Sequence, residues 1–247
     1  MVKLIACDLD GTLLPRGQSR LSAELENKIK SVLANKKNFA IISGRDYSSI
    51  RRVVDFKTED IYYICCGGSV CIKNGKVLYS KPVSSLAVIA AIKASKESKK
   101  GLVLSSDKVV YVYGEASFVR SIKNMYGEDA VEIRCNRGVV SPVYKISFYG
   151  ETEQKLLEGK VSGLKLFYNR NGWEEYVSAI SGKMEAFSDL RMRVGVLASE
   201  TVAAGDDLCD VPMLQKAGKA FALTPEAAIQ AKAEYITDPI KIFEFSE

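Results

Sequence analysis

The chain has 247 residues, of which 47% are apolar and 26% charged, a composition typical of a folded protein rather than a disordered segment. Its formal net charge is +5, and the lysines and arginines are scattered along the chain, so nucleic-acid binding is not indicated. Histidine is absent, which excludes a Ser-His-Asp triad, a Cys-His pair and any metal site built on histidine, and leaves carboxylates as the main candidates for acid-base chemistry.

Residues 1–81 alternate short apolar runs with segments of helical periodicity, the pattern of a mainly parallel sheet covered by helices. This pattern predicts strands at residues 2–7, 39–42 and 61–65, separated by helices at 22–35 and 46–54. The dipeptide Asn74-Gly75 predicts a hairpin between short strands at residues 70–72 and 77–79.

Residues 82–181 have a different pattern, with tyrosines that alternate with polar residues as in strands exposed on one face. The predicted elements are helices at 84–98, 116–126 and 151–160, and strands at 102–104, 109–113, 144–149, 164–167 and 175–179. We interpret this segment as an inserted α+β cap domain, within a core formed by residues 1–81 and 182–247.

From residue 183 the core pattern resumes with a helix at 183–193, a strand at 201–204, a helix that begins at Asp207, a strand at 220–223, and a last helix and strand that end at Ile236. The predicted fold class is therefore α/β, a doubly wound, mostly parallel, Rossmann-like sheet with an inserted α+β cap domain.

Polar residues that follow the core strands are the candidates for chemistry, because ligands of open parallel sheets bind beyond the carboxyl ends of the strands. Four groups have this placement: Asp8 with Asp10, Ser43-Gly44-Arg45, Lys183, and residues 205–210. Clustered carboxylates repel one another unless a cation neutralises them, and Asp8 and Asp206 offer the hard oxygen ligands that Mg²⁺ prefers. Ser43, the backbone near Gly44 and Lys183 could donate hydrogen bonds to a phosphate.

Four segments of the sequence also match a known family. They are CDLDGTLL (residues 7–14), IISGR (41–45), GKMEAF (182–187) and GDDLCDVPML (205–214). In this order they resemble the four signature motifs of haloacid dehalogenase-like phosphatases, and the resemblance spans the chain. The insertion between the second and third motifs resembles the α/β cap of the Cof-type branch, whose members mostly hydrolyse sugar phosphates and other small phosphorylated metabolites. The segment EYVSAISGK (175–183) is also similar to that branch.

The resemblance implies a role for each matching carboxylate. Asp8 corresponds to the nucleophile that forms an aspartyl phosphate, and Asp10 to the general acid that later acts as a base. Asp8, the main-chain carbonyl of Asp10, and Asp206 correspond to the ligands of an expected Mg²⁺ cofactor. Asp210 corresponds to the residue that supports the metal's water shell or Lys183.

The second and third motifs imply the phosphate-binding residues, which are Ser43, Gly44 and Lys183. Arg45 either points toward the cap and the substrate or pairs with a core carboxylate, and the sequence leaves both options open. We interpret Asp207 as an ordinary helix N-cap. Four basic residues of the insertion are interpreted as solvated surface charges: Arg134, Arg137, Lys145 and Arg170.

Two positions depart from the family pattern. Cys209 stands where the fourth motif usually has Asn, and Gly67-Gly68-Ser69 replaces the usual Asn-Gly-Ala before the cap. Because loss of an amide near a metal loosens the order around its ligands, we expect reduced or altered activity rather than none.

The resulting prediction is a Mg²⁺-dependent phosphatase that hydrolyses a small phosphorylated metabolite, with sugar phosphates as the first candidates, through an aspartyl phosphate. Two alternatives remain open: a phosphomutase of similar fold, and a regulatory protein that binds phosphorylated metabolites with weak or no turnover. No apolar run reaches the ~18 residues of a membrane span, and the six cysteines show no disulfide or zinc spacing. We therefore expect a cytoplasmic monomer or small homo-oligomer that binds neither membrane nor nucleic acid.

Overall fold

Two β-sheets organise the computed structural model, which describes residues 1–56, 60–150 and 155–245. In chain order, the strands of these residues are β1 (Leu4–Cys7), β2 (Asn38–Ile42), β3 (Tyr62–Cys65), β4 (Val70–Lys73), β5 (Lys76–Ser80), β6 (Gly101–Ser105), β7 (Val110–Tyr113), β8 (Ala130–Glu132), β9 (Lys145–Tyr149), β10 (Leu164–Arg170), β11 (Trp173–Ser178), β12 (Thr201–Gly205), β13 (Lys219–Ala222) and β14 (Glu234–Tyr235). The α-helices are α1 (Ala23–Ala34), α2 (Tyr47–Val53), α3 (Ser85–Ser98), α4 (Ala116–Tyr126), α5 (Lys183–Arg193), α6 (Val211–Leu214) and α7 (Pro225–Ala231).

The larger sheet has the strand order β14-β13-β12-β1-β2-β3-β4-β5. Its strands are parallel from β14 to β3, and β4 and β5 continue it as an antiparallel hairpin. Alternate residues of β1 enter two separate apolar clusters, Ile5 with α1 on one face and Leu4 with α5 on the other. A strand buried on both faces explains the nearly continuous apolar run at this position. The predicted doubly wound α/β fold is confirmed.

The smaller sheet has the strand order β10-β11-β9-β6-β7-β8 and is mainly antiparallel. Helix α3 packs on one face with Leu102 and Leu104, and α4 packs on the other with Val103. All six strands lie within residues 101–178, inside the predicted insertion, whose limits at residues 82 and 181 remain a prediction.

The prediction of a helix at residues 151–160 is wrong for the part that the structure describes. Residues 155–160 contain bends and a turn but no helix, and residues 151–154 lie outside the described residues. The main-chain N–H groups of Leu157 and Glu158 each donate to the Tyr176 hydroxyl at 3.1 Å, and that of Leu156 donates to Glu174. Side chains of β11 thus satisfy donors that helical hydrogen bonds would otherwise use.

Other differences concern short elements. Strand β8 was missed, and the helix predicted from Asp207 is a 3₁₀ turn at Leu208–Asp210 followed by the short α6. The predicted N-caps Ser22 and Asp46 are confirmed, since their side chains accept hydrogen bonds from main-chain N–H groups of α1 and α2. Among the described residues, no helix combines the length and apolar character needed to cross a membrane.

Candidate active site

The carboxyl ends of three adjacent parallel strands bring the predicted site residues together. Strands β12, β1 and β2 are neighbours in the larger sheet, and Asp206, Asp8 and Ser43 directly follow them. All three residues are buried. Lys183 is the first residue of α5, which packs on the same sheet. The sheet topology therefore brings together residues that are far apart along the chain.

Lys183 is the centre of a buried ion network. Its Nζ lies 2.8 Å from Oδ1 of Asp8 and 2.7 Å from Oδ1 of Asp210, and the three side chains are 5%, 7% and 0% exposed. Burial works to lower the pKa of Lys183, but the charges of Asp8 and Asp210 outweigh it and raise that pKa well above its usual value. The ammonium group therefore stays charged at neutral pH.

Three carboxylates converge beside this ammonium group. Oxygens of Asp8, Asp206 and Asp210 all lie within 4.8 Å of one another. Burial raises the pKa of Asp8 well above its usual range, with Lys183 opposing and Asp210 reinforcing this shift. Burial and then Asp210 also raise the pKa of Asp206. Burial makes carboxylate charge costly here, and a buried cluster of hard oxygen donors fits a divalent cation that would compensate that charge.

Hydrogen bonds orient the carboxylates. The Thr12 hydroxyl donates to Oδ1 of Asp206 at 3.1 Å. Oδ2 of Asp210 accepts from the main-chain N–H groups of Asp206 and Asp207 at 3.2 and 3.1 Å, while its other oxygen binds Lys183. Asp210 therefore connects the loop after β12 to the ammonium group of Lys183.

Glycines allow the motif loops to approach one another closely. A Cβ at Gly11, which has φ +83°, would lie 2.1 Å from Oδ2 of Asp206. A Cβ at Gly68, with φ +93°, would lie 2.2 Å from the carbonyl oxygen of Gly182, immediately before Lys183. Gly68, which stands where the family pattern also has Gly, thus provides the space in which the start of α5 reaches the sheet.

Asp10 lies at the mouth of the site and is paired with Arg45. The guanidinium Nε and Nη2 lie 2.8 and 2.5 Å from the two carboxylate oxygens, and the Asp10 side chain is 48% exposed. Of the two options that the sequence left open for Arg45, the structure shows pairing with a core carboxylate. The bidentate geometry fixes the orientation of Asp10 beside the cleft.

A cleft of about 450 Å³ opens over these groups. Its lining from the core includes Asp8, Asp10, Ser43, Gly44, Lys183, Asp207 and Cys209, and its lining from the smaller sheet is the consecutive run Phe167, Tyr168, Asn169 and Arg170 at the end of β10. This volume lies within the range of small-molecule sites, so β10 forms a roof over a pocket of the size that a small metabolite requires.

The chain matches a known protein family over most of its length. Residues 5–241 match the family model described as haloacid dehalogenase-like hydrolase. The chain belongs to the haloacid dehalogenase-like hydrolases. The family predicted from the four motifs is confirmed.

Individual relatives agree with this assignment. A Buchnera aphidicola protein named as a candidate phosphatase is 25% identical over 239 residues, which cover 90% of this chain and 84% of the relative. A solved structure from Eubacterium rectale has a TM-score of 0.85 at 21% identity, covering 99% of this chain and 98% of its own. A subclass IIB sugar phosphatase has a TM-score of 0.76 at 17% identity, with 99% and 96% covered. The enzyme class expected from the sequence, phosphoric monoester hydrolase, agrees with these findings.

Within this hydrolase, a hydrogen bond to Asp207 holds the main chain at Cys209 in the fourth motif. The side chain of Asp207 accepts from the Cys209 N–H at 3.2 Å, which confirms the interpretation of Asp207 as an N-cap. Desolvation raises the pKa of the Cys209 thiol to about 12, with Lys183 opposing and Asp210 reinforcing the shift. The thiol is therefore neutral at physiological pH and adds no charge to the carboxylate cluster.

Lys145 is the residue that sequence reasoning missed. It was interpreted as a surface charge, but it is buried, and its Nζ lies 2.7 Å from Glu175 and donates to the main-chain oxygen of Gly44 at 2.9 Å. The one available signal was its position: it alternates with the apolar residues Ile146 and Phe148 on a strand of the smaller sheet. Alternation identifies the face of the strand but not the core loop that covers it.

Proposed function

We propose that this hydrolase is a Mg²⁺-dependent phosphatase that acts on a small phosphorylated metabolite, with a sugar phosphate as the first candidate, through an aspartyl phosphate at Asp8. The observation that carries the proposal is the convergence of Asp8, Asp206 and Asp210 on the buried ammonium group of Lys183. The Buchnera aphidicola relative and the subclass IIB sugar phosphatase support the choice of phosphomonoesters.

The residues present fit a magnesium ion. Asp8, Asp206 and the main-chain carbonyl of Asp10 are its proposed protein ligands, and Asp210 is proposed to orient water or Lys183. When bound, the ion would supply charge that draws phosphoryl oxygens toward the carboxylates. This neutralisation would offset the burial, and the smaller effect of the Asp210 charge, that raise the pKa values of Asp8 and Asp206.

In the first half of the proposed reaction, a carboxylate oxygen of Asp8 attacks phosphorus while the bond from phosphorus to the ester oxygen breaks. Lys183 and the Ser43 hydroxyl donate hydrogen bonds to the non-bridging oxygens, which stabilises the charge that develops there. The Ser43 hydroxyl oxygen accepts a hydrogen bond from the main-chain N–H of Arg45 at 3.1 Å, so the hydroxyl hydrogen stays available for the phosphate. Asp10 gives its proton to the leaving oxygen, and the alcohol departs.

In the second half, Asp10 takes a proton from water, whose oxygen attacks phosphorus and releases inorganic phosphate from Asp8. The bidentate contact from Arg45 suits the carboxylate form of Asp10 that this step uses. Proton donation in the first half requires Asp10 to loosen one of these two hydrogen bonds. We therefore assign Arg45 a positioning role on Asp10.

The proposal is tested by phosphate release from a panel of sugar phosphates, other phosphorylated metabolites and an aryl phosphate, with Mg²⁺ and with a chelator. We expect metal-dependent release by the natural chain and none by Asp8→Asn. Asp189→Asn is the matched control, because it removes a carboxylate of α5 that pairs with Lys81 outside the cleft. Metal-independent release, or unchanged release by Asp8→Asn, would contradict the mechanism.

A phosphometabolite-binding protein without turnover is the second candidate, because Cys209 replaces the usual Asn of the fourth motif. It predicts that the folded natural chain binds phosphorylated metabolites in calorimetry but releases no phosphate from any of them. If a sugar bisphosphate is instead isomerised faster than phosphate is released, the activity is that of a phosphomutase.

A further inference from the structure

Phe167 occupies a bulge in β10. Its neighbours Leu166 and Tyr168 pair with the consecutive residues Tyr176 and Glu175 of β11, so Phe167 itself has no partner across the ladder. Leu166 packs into the apolar cluster beneath α3, whereas Phe167 belongs to none of the hydrophobic clusters of the described residues. Bulges commonly redirect a side chain beside an active site, and here the aromatic ring is directed to the core.

The ring fits a notch formed by two glycines of the core. A Cβ at Gly67 would lie 2.5 Å from Cε2 of Phe167, and a Cβ at Gly44 would lie 3.0 Å from its Cε1. Any side chain at Gly67 would collide with the ring, and one at Gly44 would press against it. The absence of both side chains is what allows the edge of Phe167 to enter.

Other strands of the sheet that carries Phe167 also contact the core. Lys145 donates to the Gly44 oxygen at 2.9 Å and pairs with Glu175, the residue opposite Tyr168. Gly44 is thus contacted on its carbonyl side by Lys145 and on its Cα side by Phe167. Gly44 therefore has contacts with two strands of the smaller sheet, and the Phe167 ring lies beside it at the edge of the cleft.

That position is next to the proposed leaving group. Phe167 lines the same cleft as Asp8, Asp10 and Lys183, and it contacts the glycine that follows Ser43. Since Asp10 is the proposed proton donor, the leaving group extends from the phosphate toward Asp10 and the roof formed by β10. The Phe167 ring therefore limits the space available to the leaving group on the side of the cleft that the loop after Ser43 forms.

We propose that Phe167 is a specificity-determining residue, whose ring closes one side of the cleft and limits the enzyme to compact leaving groups such as a single sugar ring or a short polyol. This inference rests on the proposed phosphatase function. Truncation of the ring is expected to admit wider leaving groups.

The test compares kcat/KM for phenyl phosphate and 1-naphthyl phosphate, whose aryl leaving groups differ mainly by one fused ring. The ratio of naphthyl to phenyl activity is measured for the natural chain, Phe167→Ala and the milder Phe167→Leu. Phe118→Ala is the matched control, because the ring of Phe118 also packs against two glycines, Gly101 and Gly114, outside the cleft lining. Circular dichroism checks that each variant is folded.

We expect the ratio to rise about tenfold in Phe167→Ala and by less in Phe167→Leu, with no change in Phe118→Ala. A ratio that does not change in Phe167→Ala would overturn the inference. If kcat/KM falls equally for both esters, Phe167 only holds the cap in place; if neither kcat/KM changes, the ring has no part in the reaction. If Phe167→Ala does not fold, the ratio of Phe167→Leu decides. If the natural chain releases phosphate from neither these esters nor the metabolite panel, the proposed phosphatase function fails, and this inference fails with it.

Discussion

Replacement of Lys183 by methionine removes the ammonium group that lies between Asp8 and Asp210, at 2.8 and 2.7 Å from their carboxylate oxygens. Methionine keeps much of the side-chain volume, so the change mainly leaves two buried carboxylates without their counter-charge. Removal of one partner from a buried ion pair typically costs about 3–5 kcal/mol. We expect a loss of this size in the free energy of unfolding, measured by denaturant titration with a chelator at neutral pH.

The pH dependence has a defined sign. The folded-state pKa of Asp8 is already raised by burial, and loss of Lys183 raises it further. Protonation at acidic pH removes the unpaired charge, so the cost of Lys183→Met should be smaller at about pH 5 than at about pH 8. With Mg²⁺, kcat should fall by about 10²–10³-fold, because a donor to the transferring phosphoryl group is lost.

The matched control is Lys123→Met. Lys123 Nζ lies 2.7 Å from a carboxylate oxygen of Glu132, the same distance as between Lys183 and Asp210, but the side chains of Lys123 and Glu132 are about half exposed. Solvent screens such a pair, so this variant should unfold nearly as the natural chain does. The reasoning is refuted if Lys183→Met is no less stable than Lys123→Met, since the buried network would then contribute nothing beyond a surface contact.

Three further predictions concern the metal site. A fixed Mg²⁺ concentration, about 100 times the dissociation constant at neutral pH, should raise Tm by about 5–10 °C at neutral pH. At acidic pH the same concentration should raise Tm by less, because the raised pKa values of Asp8 and Asp206 let protons compete with the metal. Scanning calorimetry at both pH values checks this, and an equal shift at both would contradict it. Cys209→Asn should raise kcat about tenfold, because it introduces the amide that the fourth motif usually has at this position. Cys135→Asn, which changes a free cysteine outside the cleft lining, should leave kcat unaltered, and a kcat unchanged by Cys209→Asn removes the explanation of that departure. Gly11→Ala should abolish the Mg²⁺-dependent rise in Tm, because the added Cβ would collide with Asp206. Gly17→Ala should keep that rise, because Gly17 has a similar φ but a Cβ there would have no atom within 4 Å. Equal behaviour of the two variants would mean that the contact with Asp206 is unimportant.

Much of the core could be predicted from the sequence because each strand and the polar residue after it are local features. The run that ends at Cys7 and the start of α5 at Lys183 follow from apolar periodicity and helix-start signals. Parallel pairing of β12, β1 and β2 then places Asp206, Asp8 and Ser43 at one edge. The proximity of these residues is a consequence of topology, which the order of elements along the chain already suggests.

The smaller sheet was less predictable because its important contacts are not periodic. The bulge at Phe167 depends on a register shift between β10 and β11, which has no signal in either strand alone. The burial of Lys145 depends on the position of Gly44, which is 101 residues away. Residues 155–160 are not helical because side chains of β11 accept hydrogen bonds from their main-chain N–H groups. These tertiary contacts outweigh the local helix propensity.

The central claim is that Asp8 accepts the phosphoryl group. The most direct measurement is an acid-quenched reaction of the natural chain with radiolabelled substrate and Mg²⁺, followed by peptide mapping of the trapped label. The account predicts label on the peptide that contains Asp8, formed and lost at least as fast as the enzyme turns over, and absent from Asp8→Asn. Rapid turnover without labelled protein, or label on a different residue, would contradict it.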